Sequence, residues 1–225
     1  MRNSCWISGC LFAVMAFLAI AVSAAGENTA SHAFRLLDGF ESVVEWQPYA
    51  TEGSEASVGT AGGVTGNGLK LSYDLRTAGG ASAHRALPLD LSNNFEMVFK
   101  LRGHAPQATF EVRLVDDSGA NVWWKQFRDY EFPDDWTTIR IRRSDIHFAW
   151  GPIDDHTLTT IAKIEFVVLG ARGDKGTVEF DTLEMRTLPE PPAVIPPVVA
   201  TAGEVAVSGA VDGNPETIWT IDKDT

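Results

Sequence analysis

The sequence predicts an all-β protein, an antiparallel two-sheet sandwich of the jelly-roll type. Short runs rich in β-branched and aromatic residues follow one another between clusters of Gly, Asp, Asn and Pro, the pattern of strands joined by turns. Within several runs apolar and polar residues alternate, as a half-buried strand requires. No long helical run interrupts them, and about nine such strands with one-sided polarity fit two sheets packed face to face.

In chain order the strands read at 32–40 (HAFRLLDGF), 66–75 (GNGLKLSYDL), 84–91 (HRALPLDL) and 95–103 (FEMVFKLRG). They continue at 108–116 (ATFEVRLVD), 121–130 (NVWWKQFRDY), 136–143 (WTTIRIRR), 161–170 (IAKIEFVVLG) and 176–185 (GTVEFDTLEM). Phe110, Val112 and Leu114 should face the core and Glu111 and Arg113 the other side, while Ile139 and Ile141 alternate with Arg140 and Arg142. A short helical turn is expected near DDHTLTTIA, residues 154–162.

The flanks differ from this body. Residues 1–25 carry one Arg, an apolar run from Leu11 to Val22 and the small residues Ser23, Ala24 and Ala25, the anatomy of a secretory signal peptide cut near Ala24 or Ala25. The apolar run falls short of the ~20 residues of a membrane span. Cys10 lies before that run instead of after it, which argues against a lipid-modified N-terminus. The protein is therefore expected to be secreted or periplasmic, with a main domain at 33–188. Five prolines between Pro189 and Pro197 make 189–198 an extended, semi-rigid linker. The remaining residues, 199–225, are too few to bury a core of their own.

Composition narrows the function. Of 225 residues 44% are hydrophobic and 21% charged, an ordinary globular balance. Cys5 and Cys10, the only cysteines, fall in the leader, so the processed chain has no thiol for a disulfide, a nucleophile or a metal. The net charge of −12 disfavours nucleic acid and membrane surfaces as partners and suits a neutral ligand or a hard cation such as calcium.

Candidate chemistry is sparse. The acid pairs Asp116-Asp117, Asp134-Asp135 and Asp154-Asp155 stand beside Ser, Gly, Trp or His where strands should turn, a setting that favours Asp for its own backbone hydrogen bonds. The five histidines show no metal-ligand spacing and no Gly-x-Ser-x-Gly elbow is present, so no catalytic residue is assigned. The aromatic residues say more. Adjacent Trp123 and Trp124 must point to opposite sides of their sheet, so one fills the core and the other is a candidate for stacking on the apolar face of a sugar. Arg113, Gln126 and Arg128 are placed to hydrogen-bond hydroxyls beside it. Trp150 is either a rim contact or a loop plug, and Trp136 reads as structural.

Three resemblances rest on short strings of the sequence. The order of LLDGFES…W (36–46), GNGLKLSYDL, DDWTTIRIRRSDI and IAKIEFVVLG…GTVEFDTLEM resembles the galactose-binding-like jelly rolls of carbohydrate-binding module families 11 and 4. Gly39 stands where those modules carry an acidic residue, with Asp38 one place earlier. The resemblance implies non-catalytic binding of a polysaccharide or oligosaccharide, and a structural calcium held between the first and last strands by Asp38, Glu41 and Asp181. ATAGEVAVSGAVDGNPETIWTIDKDT, residues 200–225, resembles the opening of a discoidin (coagulation factor 5/8 type C) domain, with Ile218 in place of the usual Arg before Trp219. It implies metal positions at Asp212 and Thr217 and a covalently linked downstream domain. The alternative is a disordered acidic tail. GGASAHR (79–85) resembles a string of the complex-I intermediate-associated type of jelly roll, which implies a protein-assembly module instead of a sugar binder.

Overall fold

The computed structural model describes residues 34–189; the segments expected to be a signal peptide, most of a linker and the start of a discoidin domain, with Asp212 and Thr217, lie outside them. Twelve strands are present: β1 (Arg35–Asp38), β2 (Gln47–Ala50), β3 (Glu55–Gly62), β4 (Asn67–Asp74), β5 (Gly79–Asp90), β6 (Phe95–His104), β7 (Ala108–Val115), β8 (Val122–Tyr130), β9 (Thr137–Arg142), β10 (His147–Trp150), β11 (Thr160–Gly170) and β12 (Lys175–Thr187). They form two antiparallel six-stranded sheets. One runs β3-β4-β12-β6-β9 with β1 also paired to β12, and the other runs β10-β8-β7-β11-β5-β2. This is the jelly-roll sandwich that the alternation predicts.

The core is built where the inner faces meet. Phe110, Val112 and Leu114 of β7 and Ile139 and Ile141 of β9 are buried as predicted. At the centre Phe166 of β11 stacks on Phe180 of β12 with centroids 4.2 Å apart, and Phe99 of β6 lies 5.2 Å from Phe166. Each of these rings has no exposed surface, and full burial of such a side chain stabilises by about 1.5–3 kcal/mol.

The structure adds three strands that the sequence pattern did not show, β2, β3 and β10, and extends the 84–91 strand back to Gly79. It also replaces the helical turn expected at 154–162. There, Asp155 accepts the backbone N–H of Thr157 in a local turn and Leu158 buries its side chain, after which β11 begins at Thr160. The local carboxylate-to-backbone hydrogen bond competes with a helical ladder and wins. The one helical turn among the described residues is a 3-10 turn at Arg143–Asp145.

Candidate functional site

The outer face of the β10-β8-β7-β11-β5-β2 sheet carries the candidate site. Two adjacent rows of side chains cross it. The first runs Gln47 (β2), His84 (β5), Glu165 (β11), Arg113 (β7), Trp124 (β8) and His147 (β10). The second runs Tyr49, Ser82, Val167, Glu111 and Gln126. Each belongs to this face because its neighbours along the strand, such as Ile164, Phe166, Val112 and Leu114, enter the core. Between β2 and β7 the rows enclose a cleft of about 460 Å³, lined by Tyr49, Ser82, His84, Arg113, Glu165 and Val167 among others, within the size range of ligand sites. A second hollow of about 620 Å³ adjoins it through His84 and Lys163 and is bordered by Glu45, Gln47, Arg85 and Pro88.

Register decides between the two tryptophans. Trp123 opposes Leu114 and points inward; it is 2% exposed, donates its indole N–H to the His156 carbonyl at 2.8 Å and meets Phe148 edge-on. Trp124 opposes Arg113 on the outer face and is half-buried. Trp150 meets Trp124 edge-on, with centroids 5.3 Å apart, and stays 43% exposed. The Arg113 guanidinium lies over the Trp150 ring at 5.1 Å, close enough for a cation–π contact.

The polar members form a continuous ribbon. Lys163 pairs with Glu165 at 2.6 Å, Glu165 approaches Arg113 at 3.9 Å, and Arg113 pairs with Glu111 at 2.6 Å. Gln126 donates to Glu111 at 2.7 Å and accepts from the Arg128 Nε at 2.7 Å. The charges alternate in sign along the ribbon, so the cleft has many hydrogen-bonding groups and little net field, a surface suited to a neutral polyol. Burial, opposed by Glu165 and reinforced by Lys163, holds the His84 imidazole below its usual pKa.

The structure thus brings Arg113, Trp124, Gln126, Arg128 and Trp150 together, and sends Trp123 to the core. Trp136 lies under Arg102, whose guanidinium is 4.5 Å from the ring centroid, on the other sheet. Tyr49, Ser82, His84, Lys163 and Glu165 join the site without having been singled out in the sequence. The signal for Lys163 and Glu165 was present in the alternation of IAKIEF; none marked Tyr49. GGASAHR forms the start of β5 and lines the cleft. Gly80 packs closely there, since a Cβ would sit 2.5 Å from Leu169 Cδ2 and displace that side chain.

The acidic residues of the first and last strands divide. Asp38 accepts the backbone N–H of Phe40 at 2.7 Å and the Trp46 indole N–H at 2.9 Å, and pairs with Arg85. Its carboxylate holds the fully buried Phe40 in a left-handed conformation, φ 56°. Glu41 and Asp181 instead converge on the Gly63–Asn67 turn. Asp181, 1% exposed, accepts the Val64 N–H at 2.6 Å, and Glu41 accepts the Asn67 N–H at 3.1 Å. Gly66, at φ 65°, leaves room for this, since a Cβ would lie 2.2 Å from Glu41 Oε1. Among the described residues no three His, Cys, Asp or Glu groups gather at one point. Glu41 and Asp181 carry carboxylate oxygens of the kind calcium takes, and here both accept backbone N–H groups of the turn. The paired acids sit in turns. Asp116, for instance, accepts from Ser118 and Asn121, which outweighs its burial and lowers its pKa.

No protein-family model matches the sequence, and no curated protein matches it. Solved structures do. The family 11 carbohydrate-binding module of a cellulosomal cellulase of Clostridium thermocellum is 25% identical, with 69% of this chain aligned to 95% of that one and a TM-score of 0.57. A Clostridium thermocellum family 11 module in complex with a β-1,3-1,4-mixed-linked tetrasaccharide is 26% identical, with 68% and 95% covered and a TM-score of 0.57. The described domain is a galactose-binding-like jelly roll similar to family 11 carbohydrate-binding modules.

Proposed function

We propose that this domain binds carbohydrate without catalysis, taking an extended neutral polysaccharide of the mixed-linked β-1,3-1,4-glucan class on the outer face of the β10-β8-β7-β11-β5-β2 sheet. The observation that carries the reading is the cleft itself. A band of hydrogen-bonding side chains with balanced charge is flanked by exposed aromatic rings at both sheet edges, Tyr49 (62% exposed) on β2 and Trp150 (43%) on β10. Five strand spacings of about 4.8 Å separate the edges, about 24 Å, a distance that several sugar units span. Aromatic faces take the apolar C–H side of a pyranose and the ribbon takes its hydroxyls. The likeness to the tetrasaccharide-bound family 11 module supports the choice of glycan.

Affinity is expected to be weak, roughly 10 μM to 1 mM in Kd, because each hydrogen bond replaces one to water. A weak module becomes useful when tethered, since a linked partner is held at high effective concentration near its substrate. The signal peptide and Pro-rich linker support a secreted protein in which the module delivers downstream domains to the glycan. A structural calcium held by Glu41 and Asp181 belongs to the same reading. Electrophoresis of the exported protein through gels containing mixed-linked β-glucan tests the binding; retardation supports it, and migration unchanged by this and other neutral glycans overturns it.

A further inference from the structure

We infer that Glu111 is a positioning residue, whose buried carboxylate fixes Arg113 and Gln126, and through Gln126 also Arg128, as the polar rim of the glycan cleft beside Trp150. The inference rests on the proposed carbohydrate reading. Strand alternation puts Glu111 on the outer face of its sheet, where an acidic side chain ordinarily meets water; here its exposure is 0%. A carboxylate removed from water must be matched by donors. Arg113 meets it twice at the same oxygen, Oε2, through a hydrogen bond from Nε at 2.7 Å and an ion-pair contact from a terminal nitrogen at 2.6 Å. Gln126 makes the third contact, donating to Oε1 at 2.7 Å.

Each bond fixes a direction. With its Nε and one terminal nitrogen turned to Glu111, Arg113 keeps its guanidinium over the Trp150 ring and lines the cleft. With its amide nitrogen donated to Glu111, Gln126 must turn its carbonyl oxygen outward, and that oxygen receives the Arg128 Nε. Glu165, 3.9 Å from the other terminal nitrogen of Arg113, is the competing anion. Once the Glu111 charge is gone, Arg113 is expected to swing toward Glu165 and leave Trp150.

The substitution Glu111→Gln tests this, because it preserves size and the Arg113 acceptor but presents an N–H₂ to the Gln126 N–H₂. Gln126 must then flip, and Arg128 loses its acceptor. Adding Gln126→Glu restores every donor–acceptor match and the net charge. Titration calorimetry with the mixed-linked β-1,3-1,4 tetrasaccharide should show at least tenfold weaker binding for Glu111→Gln. The double variant should regain at least threefold of that loss through Gln126 and Arg128, while tryptophan emission, which reports the Arg113 contact with Trp150, should stay at its Glu111→Gln value because position 111 still carries no charge. Arg113→Lys, which keeps charge and removes the fork, should lose affinity like Glu111→Gln and serves if that variant does not fold. A double variant no better than Glu111→Gln, or a Glu111→Gln protein with unchanged affinity and emission, overturns the role of Glu111. Wild-type protein that binds no glycan overturns the carbohydrate reading instead, and the emission change alone then decides whether Glu111 orders Arg113.

Discussion

Replacing Trp123 or Trp124 by Ala should have opposite consequences although the two residues are neighbours. Trp123 is 2% exposed, donates to the His156 carbonyl at 2.8 Å and packs edge-on to Phe148 at 5.5 Å. Its truncation leaves a large cavity, for which aromatic-to-Ala changes in cores cost about 3–5 kcal/mol. In a domain of this size each kcal/mol lowers Tm by about 2–4 °C, so a fall of roughly 6–20 °C is expected, with the segment before β11 released from its anchor. Trp124 is half-buried and its main aromatic contact is the edge of Trp150 at 5.3 Å, worth about 0.5–1.5 kcal/mol. Its truncation should lower Tm by only a few degrees. In binding the order reverses: an aromatic anchor on the ligand face contributes about 2 kcal/mol or more, a loss of about thirtyfold in affinity, which removes retardation in a β-glucan gel. Differential scanning calorimetry paired with affinity electrophoresis separates the effects. Equal losses of stability from the two substitutions, or full retardation of a folded Trp124→Ala protein, would refute the assignment of inward and outward rings.

Tyr49→Ala, at the opposite edge of the cleft and 62% exposed, should weaken binding of long β-glucan about tenfold with Tm unchanged within error; equal affinity would place the ligand elsewhere. Asp38→Ala should cost about 3 kcal/mol, read by denaturant unfolding, because it leaves Arg85 with only the exposed Glu45 carboxylate, strands the Trp46 indole N–H and releases Phe40 from its left-handed turn. His84 has a folded pKa below its unfolded value of 6.5, so the native state holds fewer protons between the two values. Stability is then unaffected above pH 6.5 and falls as pH drops below it. Tm measured from pH 8 to 5 should fall less for His84→Gln than for wild type, and parallel curves would exclude the effect. Chelator should lower the Tm of calcium-loaded protein and leave Asp181→Asn unmoved, whereas an unchanged wild-type Tm would show that Glu41 and Asp181 hold no cation.

The sandwich was legible because its core strands carry strong alternation, as in Phe110, Val112 and Leu114. β2 and β3 were hidden for a physical reason. QPYA is four residues with a proline, and EASVGTAG is built from small residues, so neither looks like a pleated, half-buried surface. GGASA, the start of β5, was missed likewise, since glycine, which here packs closely against Leu169, is a poor strand former. Alternation showed that one of Trp123 and Trp124 points outward, but only the pairing of Leu114 with Trp123 and Arg113 with Trp124 shows which. Arg113, Gln126 and Arg128 were readable from strands adjacent in sequence. His84 and Glu165 meet across the β5–β11 pairing, some eighty residues apart in the chain, a contact that local pattern does not encode. Asp38 followed the acidic texture of the first strand, whereas its partner Arg85 became visible only with the fold.

The most direct test of carbohydrate binding through this face is a nitrogen-15 NMR titration of the protein with mixed-linked β-1,3-1,4-glucan oligosaccharide. Saturable shifts should concentrate on the amides of β5, β7, β8 and β11 and on the Trp124 and Trp150 indole N–H signals, with Kd of roughly 10 μM to 1 mM and the Trp123 indole little changed. An unshifted spectrum, or shifts confined to the β3-β4-β12-β6-β9 sheet, would contradict it.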